Sequence, residues 1–294
     1  MKKTFFLMVI TAITLATSSC SKDDDNNTTT PTENTLAAPQ YKDDAVRLTL
    51  PENNLSVGGK QASVSLIEMA ESGTYLIVYQ PKATRADDGT TYMTGRYTKS
   101  DNAYNLTGFA TVTVNGKSGT TYNITVKTTD GNSTELSATA ASEGVVSGTM
   151  TDNICRTWKI ENTRLSVKVE GISIGKDFPG TCDLNKLIDY AKERGIEIND
   201  KVENNSIVNG ITFSRAGTFI ISYQNGKNDV GRWRWVNQSA GTLSYGWDAP
   251  DMGNSLENGQ ATVSIADGKC KLTMGATING YEVQADYTLA PSIY

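Results

Sequence analysis

From about Ala45 onward, apolar and polar residues alternate in short runs separated by Asn-Gly, Asp-Gly and Gly-Gly turns. Successive side chains of a β-strand point to opposite faces, so a period of two broken by turn residues describes antiparallel strands with one buried face. The fold class is therefore all-β. About 250 residues lie beyond position 44, enough for one large β domain or two of ordinary size.

Two is the better division, because the halves echo one another in order. Gly73-Thr74-Tyr75-Leu76-Ile77-Val78-Tyr79-Gln80 returns as Gly217-Thr218-Phe219-Ile220-Ile221-Ser222-Tyr223-Gln224. Gly95-Arg96-Tyr97 returns as Gly231-Arg232-Trp233, and Ala110-Thr111-Val112-Thr113-Val114 as Ala261-Thr262-Val263-Ser264-Ile265. Any two hairpin meanders share some of this alternation; three matches in one order are also what a duplicated domain leaves. The domains predicted are 45–150 and 151–294, with the boundary in the polar stretch Gly148 to Asn153.

In the second half a long first strand or strand pair runs from Trp158 through Val169. The residues Asp183 to Arg194 follow, with Leu184, Leu187, Ile188 and Ala191 at helical spacing, Thr181 or Asp183 as cap and Gly195 as stop. Seven strands are then predicted, at Ile207–Phe213, Thr218–Gln224, Gly231–Val236, Thr242–Trp247, Gln260–Ile265, Lys269–Met274 and Tyr281–Leu289. With the first they make about eight, and eight antiparallel strands joined by tight turns can close into an up-and-down barrel without exposed edges. Thr157-Trp158-Lys159 on the first strand, the helix before the second and Gly217-Thr218-Phe219 leading the third resemble the lipocalin-like domains of Bacteroidetes lipoproteins, over residues 154 to 290. That resemblance implies a barrel with one helix between its first two strands.

Such a barrel is either filled by its own side chains or holds one small ligand. If the apolar face points inward, the interior receives Trp158, Ile160, Phe219, Ile221, Tyr223, Trp233, Trp235, Leu243, Tyr245, Trp247, Val263, Leu272, Met274, Tyr281, Val283 and Tyr287. Lys159, Ser222, Arg232, Arg234, Thr262, Ser264, Lys271, Glu282, Gln284 and Asp286 then point outward, and a slip of one residue would exchange the two sets. The candidate ligand-binding residues are Trp158, Phe219, Tyr223, Trp233, Trp235, Tyr245, Trp247 and Tyr287. They could form a packed core, line a pocket for a small apolar molecule, or, if a tryptophan is exposed at the mouth, stack on a glycan fragment. In the first half, Ala110, Val112, Val114, Ile124 and Val126 describe a filled scaffold.

The amino terminus is of a different kind. Lys2-Lys3, an apolar run from Phe5 to Ala16 and the small residues Thr17-Ser18-Ser19 lead to Cys20. A basic start, a short apolar stretch and small residues at the cut make an export signal, too short to span a bilayer. The cysteine resembles the lipobox of bacterial lipoproteins, and Ser21, Lys22, Asp23, Asp24 and Asp25 look like the surface-export signal of Bacteroidetes lipoproteins. The resemblance implies a signal peptide at 1–19, acyl chains such as palmitate on Cys20, and a surface-exposed place on the outer membrane. Residues 20–44, rich in Asn and Thr, are too polar to bury a core and read as a disordered tether.

Composition narrows the chemistry. The formal charge of −5 becomes −7 when Lys2 and Lys3 leave with the signal, which argues against nucleic acid as a partner. Histidine is absent, removing the commonest general base and the commonest zinc ligand. No cofactor and no metal site is predicted. A carboxylate hydrolase is the enzyme class left open, with Glu161, Asp229 and Asp248 as the acids to inspect. Cys155, Cys182 and Cys270 lack C-x-x-C spacing and could form one bridge or serve as small apolar side chains. The reading is a lipid-anchored module that binds a small apolar ligand or glycan fragment without catalysis; the alternative is a structural or accessory lipoprotein with filled barrels.

Overall fold

The computed structural model describes residues 36–82, 91–141, 144–169, 171–180, 184–193, 207–246, 259–278 and 281–292. Cys20, the acidic stretch after it, Cys182, Trp247 and Asp248 lie outside them. The first half holds β1 (Val46–Thr49), β2 (Leu55–Val57), β3 (Lys60–Met69), β4 (Thr74–Pro81), β5 (Thr91–Ser100), β6 (Ala103–Leu106), β7 (Ala110–Ser118), β8 (Thr121–Thr128) and β9 (Ser133–Ala140). Each strand from β3 to β9 pairs with the next, and β1 pairs with both β9 and β3, so eight strands close and β2 is an extra strand on β3.

The second half begins with α1 (Thr149–Ile154), β10 (Thr157–Val169), β11 (Ile172–Pro179) and α2 (Leu184–Glu193), then β12 (Val208–Phe213) and β13 (Thr218–Tyr223). It ends with β14 (Asn228–Asn237), β15 (Thr242–Gly246), β16 (Gly259–Ala266), β17 (Lys269–Ile278) and β18 (Tyr281–Pro291). Pairing of β10 with β18 closes an eight-stranded antiparallel barrel, and β11 is the extra strand. The eight wall strands are those expected, and α2 stands between the first two of them. β10 resolves the strand-or-pair alternative as one long strand, and β11 is a further strand that was not expected: Gly171, at φ 84, lets the chain reverse and pair Val169 with Ile172. The stretch around 148–153, read as polar linker, holds α1, whose Thr151, Asn153 and Ile154 are buried.

The predicted register holds among the described residues, which leave out Trp247 and the side chain of Tyr281. Trp158, Ile160, Phe219, Ile221, Trp233, Leu243, Tyr245, Val263, Leu272, Met274, Val283 and Tyr287 are buried in one cluster, with Tyr223 and Trp235 partly buried against it. Lys159, Arg234, Thr262, Ser264, Lys271, Glu282 and Gln284 are exposed. In the first barrel Ala110, Val112, Ile124 and Val126 are buried with Val114 packed against them, joined by larger rings, Tyr75, Tyr97, Tyr104 and Phe109.

Both barrels turn the same corner. In each, a glycine at φ 78 (Gly73) or 80 (Gly217) ends a turn that returns the chain onto the next strand. Gly73 O accepts from Tyr97 N at 2.8 Å, and Gly217 O from Trp233 N at 2.9 Å. The ring then reaches back to the turn: Tyr97 Oη donates to Ala70 O at 2.8 Å, and Trp233 Nε1 to Ser214 O at 3.1 Å. Even the irregularities correspond, with bulges between Val64 and Leu66 and between Val208 and Gly210.

Of residues 36–44, assigned to the tether by composition, Leu36 and Ala37 lie against the second barrel and Tyr41 and Asp44 against the first. Leu36 packs on the second core, its N–H donates to Asn153 Oδ1 at 3.1 Å, and Arg156 Nη1 donates to Ala37 O at 3.1 Å. Tertiary partners far along the chain, invisible to composition, hold them.

Candidate functional site

Of the aromatic residues proposed as a ligand pocket, Phe219, Trp233, Trp235 and Tyr245 contact one another or Phe213. Phe213 lies 4.9 Å from Phe219 and 5.4 Å from Trp233 between ring centroids, Phe219 lies 5.9 Å from Tyr245, and Trp233 meets Trp235 edge to face at 5.3 Å. Several of their polar atoms are also engaged within the protein: Trp158 Nε1 donates to Ile154 O at 2.9 Å, Trp235 Nε1 to Thr151 Oγ1 at 2.8 Å, and Tyr223 Oη to Asp229. Tyr190 of α2 packs against this core. Phe213 was missed as a core ring, although it ends the apolar strand leading into the corner. Cys155 and Cys270 are buried free thiols. Burial raises both thiol pKa values, that of Cys270 to about 12, so both stay protonated and unreactive.

The barrels meet through the outer faces of β3–β5 and β12–β14. Leu66, Leu76, Val78, Ile220 and Val230 form a buried apolar cluster there, with Tyr92 packed against it. Around it the contacts are reciprocal but chemically unequal. Arg47 stands opposite Glu68 in the register of the first barrel, and Thr157 opposite Thr212 at the same place in the second. On the first side Arg47 Nη1 reaches Glu68 Oε2 at 2.7 Å and Thr218 Oγ1 at 2.9 Å, while Thr218 and Ser214 donate to the same carboxylate. On the second side Thr157 Oγ1 lies 2.9 Å from Thr212 Oγ1 and 3.4 Å from Thr74 Oγ1.

Glu71, on the first barrel's corner, accepts from the Arg215 backbone N–H at 3.1 Å on the other corner, and the Arg215 side chain also pairs with Asp152. Glu68 is 2% exposed and Glu71 1%. Burial, reinforced by Glu68, raises Glu71 to a pKa of about 7 against the lowering effect of backbone N–H groups and Arg215. These are the acids the chain brings together; Glu161 instead pairs with Lys269 at 2.7 Å and Asp229 takes the Tyr223 hydroxyl. The Glu68 and Glu71 oxygens hold the barrels together by bonds to the opposite barrel.

The unequal seam leaves a cleft of about 620 Å³ on the threonine side, bordered by both barrels. Its existence follows from size. Gly210 occupies the register position that Leu66 fills on the other side, and Thr157 and Thr212 stand for Arg47 and Glu68. A Cβ at Gly210 would lie 3.1 Å from Trp158 O, so the sheet itself favours glycine there. Arg96 enters from β5, Lys159 from β10, and hydroxyl and amide side chains make up most of the rest. Among the described residues lining it none is acidic. A smaller cleft of about 330 Å³ lies on the charged side, bordered by Arg47, Glu68, Glu71 and Arg215.

Among the described residues no group of acids and cysteines is placed to hold a metal ion, and no helix is long and apolar enough to cross a membrane. No protein-family model matches the chain, and no curated protein matches it. Among solved structures, a protein of unknown function from the DUF3598 family of Nostoc punctiforme PCC 73102 is similar over 84% of this chain and 94% of its own, at 8% identity and a TM-score of 0.20. Intact Ap-TbpB, with N and C lobes, is similar over 85% of this chain and 59% of its own, at 7% identity and a TM-score of 0.22. At such values neither likeness bears on the function of this protein.

Proposed function

We propose that the protein is an exported lipoprotein, anchored through acyl chains on Cys20 at the surface of the outer membrane, which binds a small ligand without catalysis. The binding place is the cleft between the barrels, in contrast to the interior expected from sequence. One observation carries the choice: among the described candidate rings, Phe219, Trp233, Trp235 and Tyr245 pack on one another or on Phe213, and Trp158 bonds a backbone carbonyl, whereas the seam offers about 620 Å³ lined mostly by polar side chains. That volume lies within the range of about 300–1,000 Å³ usual for small-molecule sites. The lipobox-like sequence at Cys20 and the Bacteroidetes-type acidic stretch support the anchor. The absence of histidine and the use of Glu68 and Glu71 in structural bonds support a role without catalysis.

A second reading, an accessory lipoprotein without ligand, is favoured by the same packed interior. Native mass spectrometry of the full chain purified in detergent from its own host separates the two. A co-purified small molecule that is lost in Asn209→Trp, which fills the cleft from an exposed position, and retained in Trp233→Phe supports the cleft. A molecule retained in Asn209→Trp excludes it, and a persistently bare protein favours the accessory role.

A further inference from the structure

We propose that the cleft between the barrels takes a short neutral oligosaccharide, bound through a row of threonine hydroxyls to which both barrels contribute; this rests on the cleft being the binding site. The row crosses the seam. Ser72 Oγ donates to Thr74 Oγ1 at 3.1 Å, Thr74 Oγ1 lies 3.4 Å from Thr157 Oγ1, and Thr157 Oγ1 lies 2.9 Å from Thr212 Oγ1. A hydroxyl has one donor and two acceptor lone pairs, so linked hydroxyls spend part of that capacity on each other and keep the rest. Either oxygen can be the donor in the Thr74–Thr157 and Thr157–Thr212 pairs, so the row can meet a donor or an acceptor of a guest. A sugar hydroxyl has the same double character. A second bridge between the barrels, from Asn228 Nδ2 to Thr94 Oγ1 at 2.8 Å, also borders the cleft, so its polar walls are held in place before a guest arrives.

The charges favour a neutral guest. No described lining residue is acidic, Arg96 has a partner within the protein, and Lys159 is exposed, where water screens its charge. An ionised guest would exchange its hydration for neutral hydroxyls and amides, which is costly. An apolar guest finds little to touch, because Ile220 is buried in the cluster between the barrels and the indole of Trp158 is 0% exposed. The buried indole also leaves Trp158 no stacking face for a nucleobase. A peptide adding as a strand needs a free sheet edge, whereas β10 and β12 are paired with each other here, β10 also with β18 and β12 with β13. A short oligosaccharide of neutral residues matches the volume and the hydroxyl lining together.

The test is calorimetric titration of the full chain, in a detergent without a sugar head group, with neutral trisaccharides of glucose, galactose and mannose and with a galacturonate trisaccharide. At least one neutral trisaccharide is expected to bind, about tenfold or more tightly than the galacturonate trisaccharide, with an affinity that salt leaves unchanged. Thr157→Val keeps the shape of a half-buried side chain and removes the middle hydroxyl of the row, so it should weaken binding about tenfold, while Thr157→Ser retains it. Asn209→Trp should abolish it. Equal or tighter binding of the galacturonate trisaccharide, lost in Asn209→Trp, overturns the neutral assignment and leaves the cleft standing. Neutral binding that Thr157→Val leaves unchanged overturns the role of the row, and saccharide binding that Asn209→Trp leaves unchanged overturns both the proposal and the cleft. No saccharide binding by the unsubstituted protein also overturns the proposal, and the co-purified ligand then decides the cleft by itself.

Discussion

At Glu71, burial in the seam favours the neutral carboxyl. Its ordinary value of 4.5 rises to about 7 in the folded protein, so between those values the fold retains a proton that the unfolded chain releases. The stability this group contributes is therefore fullest below pH 4.5 and is lost as pH rises to about 7, by on the order of 3 kcal/mol. Glu71→Gln keeps an acceptor for Arg215 N–H and removes the titration. Thermal unfolding of the variant should show a flatter dependence between pH 5 and 8 and a higher midpoint than the parent at pH 8. Gly95 gives a second residue-scale expectation. A Cβ there would stand 2.5 Å from the Tyr75 ring, which is fully buried and tied by its hydroxyl to Thr107 O at 2.7 Å. Gly95→Ala should cost about 1–3 kcal/mol in denaturant unfolding, the usual range for overpacking.

Among the elements, the corners and the seam separate what a sequence displays from what it conceals. Arg47→Ala should destabilise by about 3–5 kcal/mol, because Glu68 then remains buried without its cation, and Arg47→Met with Glu68→Gln should recover most of that in the same unfolding assay. The strands and the inward set were legible because local alternation encodes them: Trp233 and Leu272 fall on one face, Arg234 and Lys271 on the other. β11 and α1 were not, since only Phe178 of Ile172–Pro179 is buried and α1 is only six residues, too short to show a period. The seam did leave a trace. Tyr75-Leu76-Ile77-Val78 and Phe219-Ile220-Ile221 break the alternation at equivalent places, and an unbroken apolar run signals a strand covered on both faces. The cleft had no such signal, because it depends on Gly210 meeting residues far away in sequence. Among the described barrel aromatics Trp158, Phe219, Trp233, Tyr245 and Tyr287 do point inward, but inward direction alone does not distinguish a lining from a core.

For the whole molecule, the shared apolar cluster and the buried Arg47–Glu68–Thr218 bonds couple the barrels into one unit. Every tryptophan of the chain lies in the second half, so tryptophan fluorescence reports that barrel while far-ultraviolet circular dichroism reports both. In urea the two signals should trace one coincident transition for the parent protein. Ile220→Lys, which places a charge in the cluster between the barrels, should separate them into two transitions. Coincident curves in that variant would show that the barrels are coupled by something other than this seam. The path of residues 36–44 adds a constraint on timing. Leu36 and Ala37 are made before any of the first barrel, yet their partners Asn153 and Arg156 come after all of it. A chain that emerges from its amino end must therefore hold Leu36 and Ala37 without these partners until more than half of its length has been synthesised, so residues made before the first barrel reach their native positions only after it.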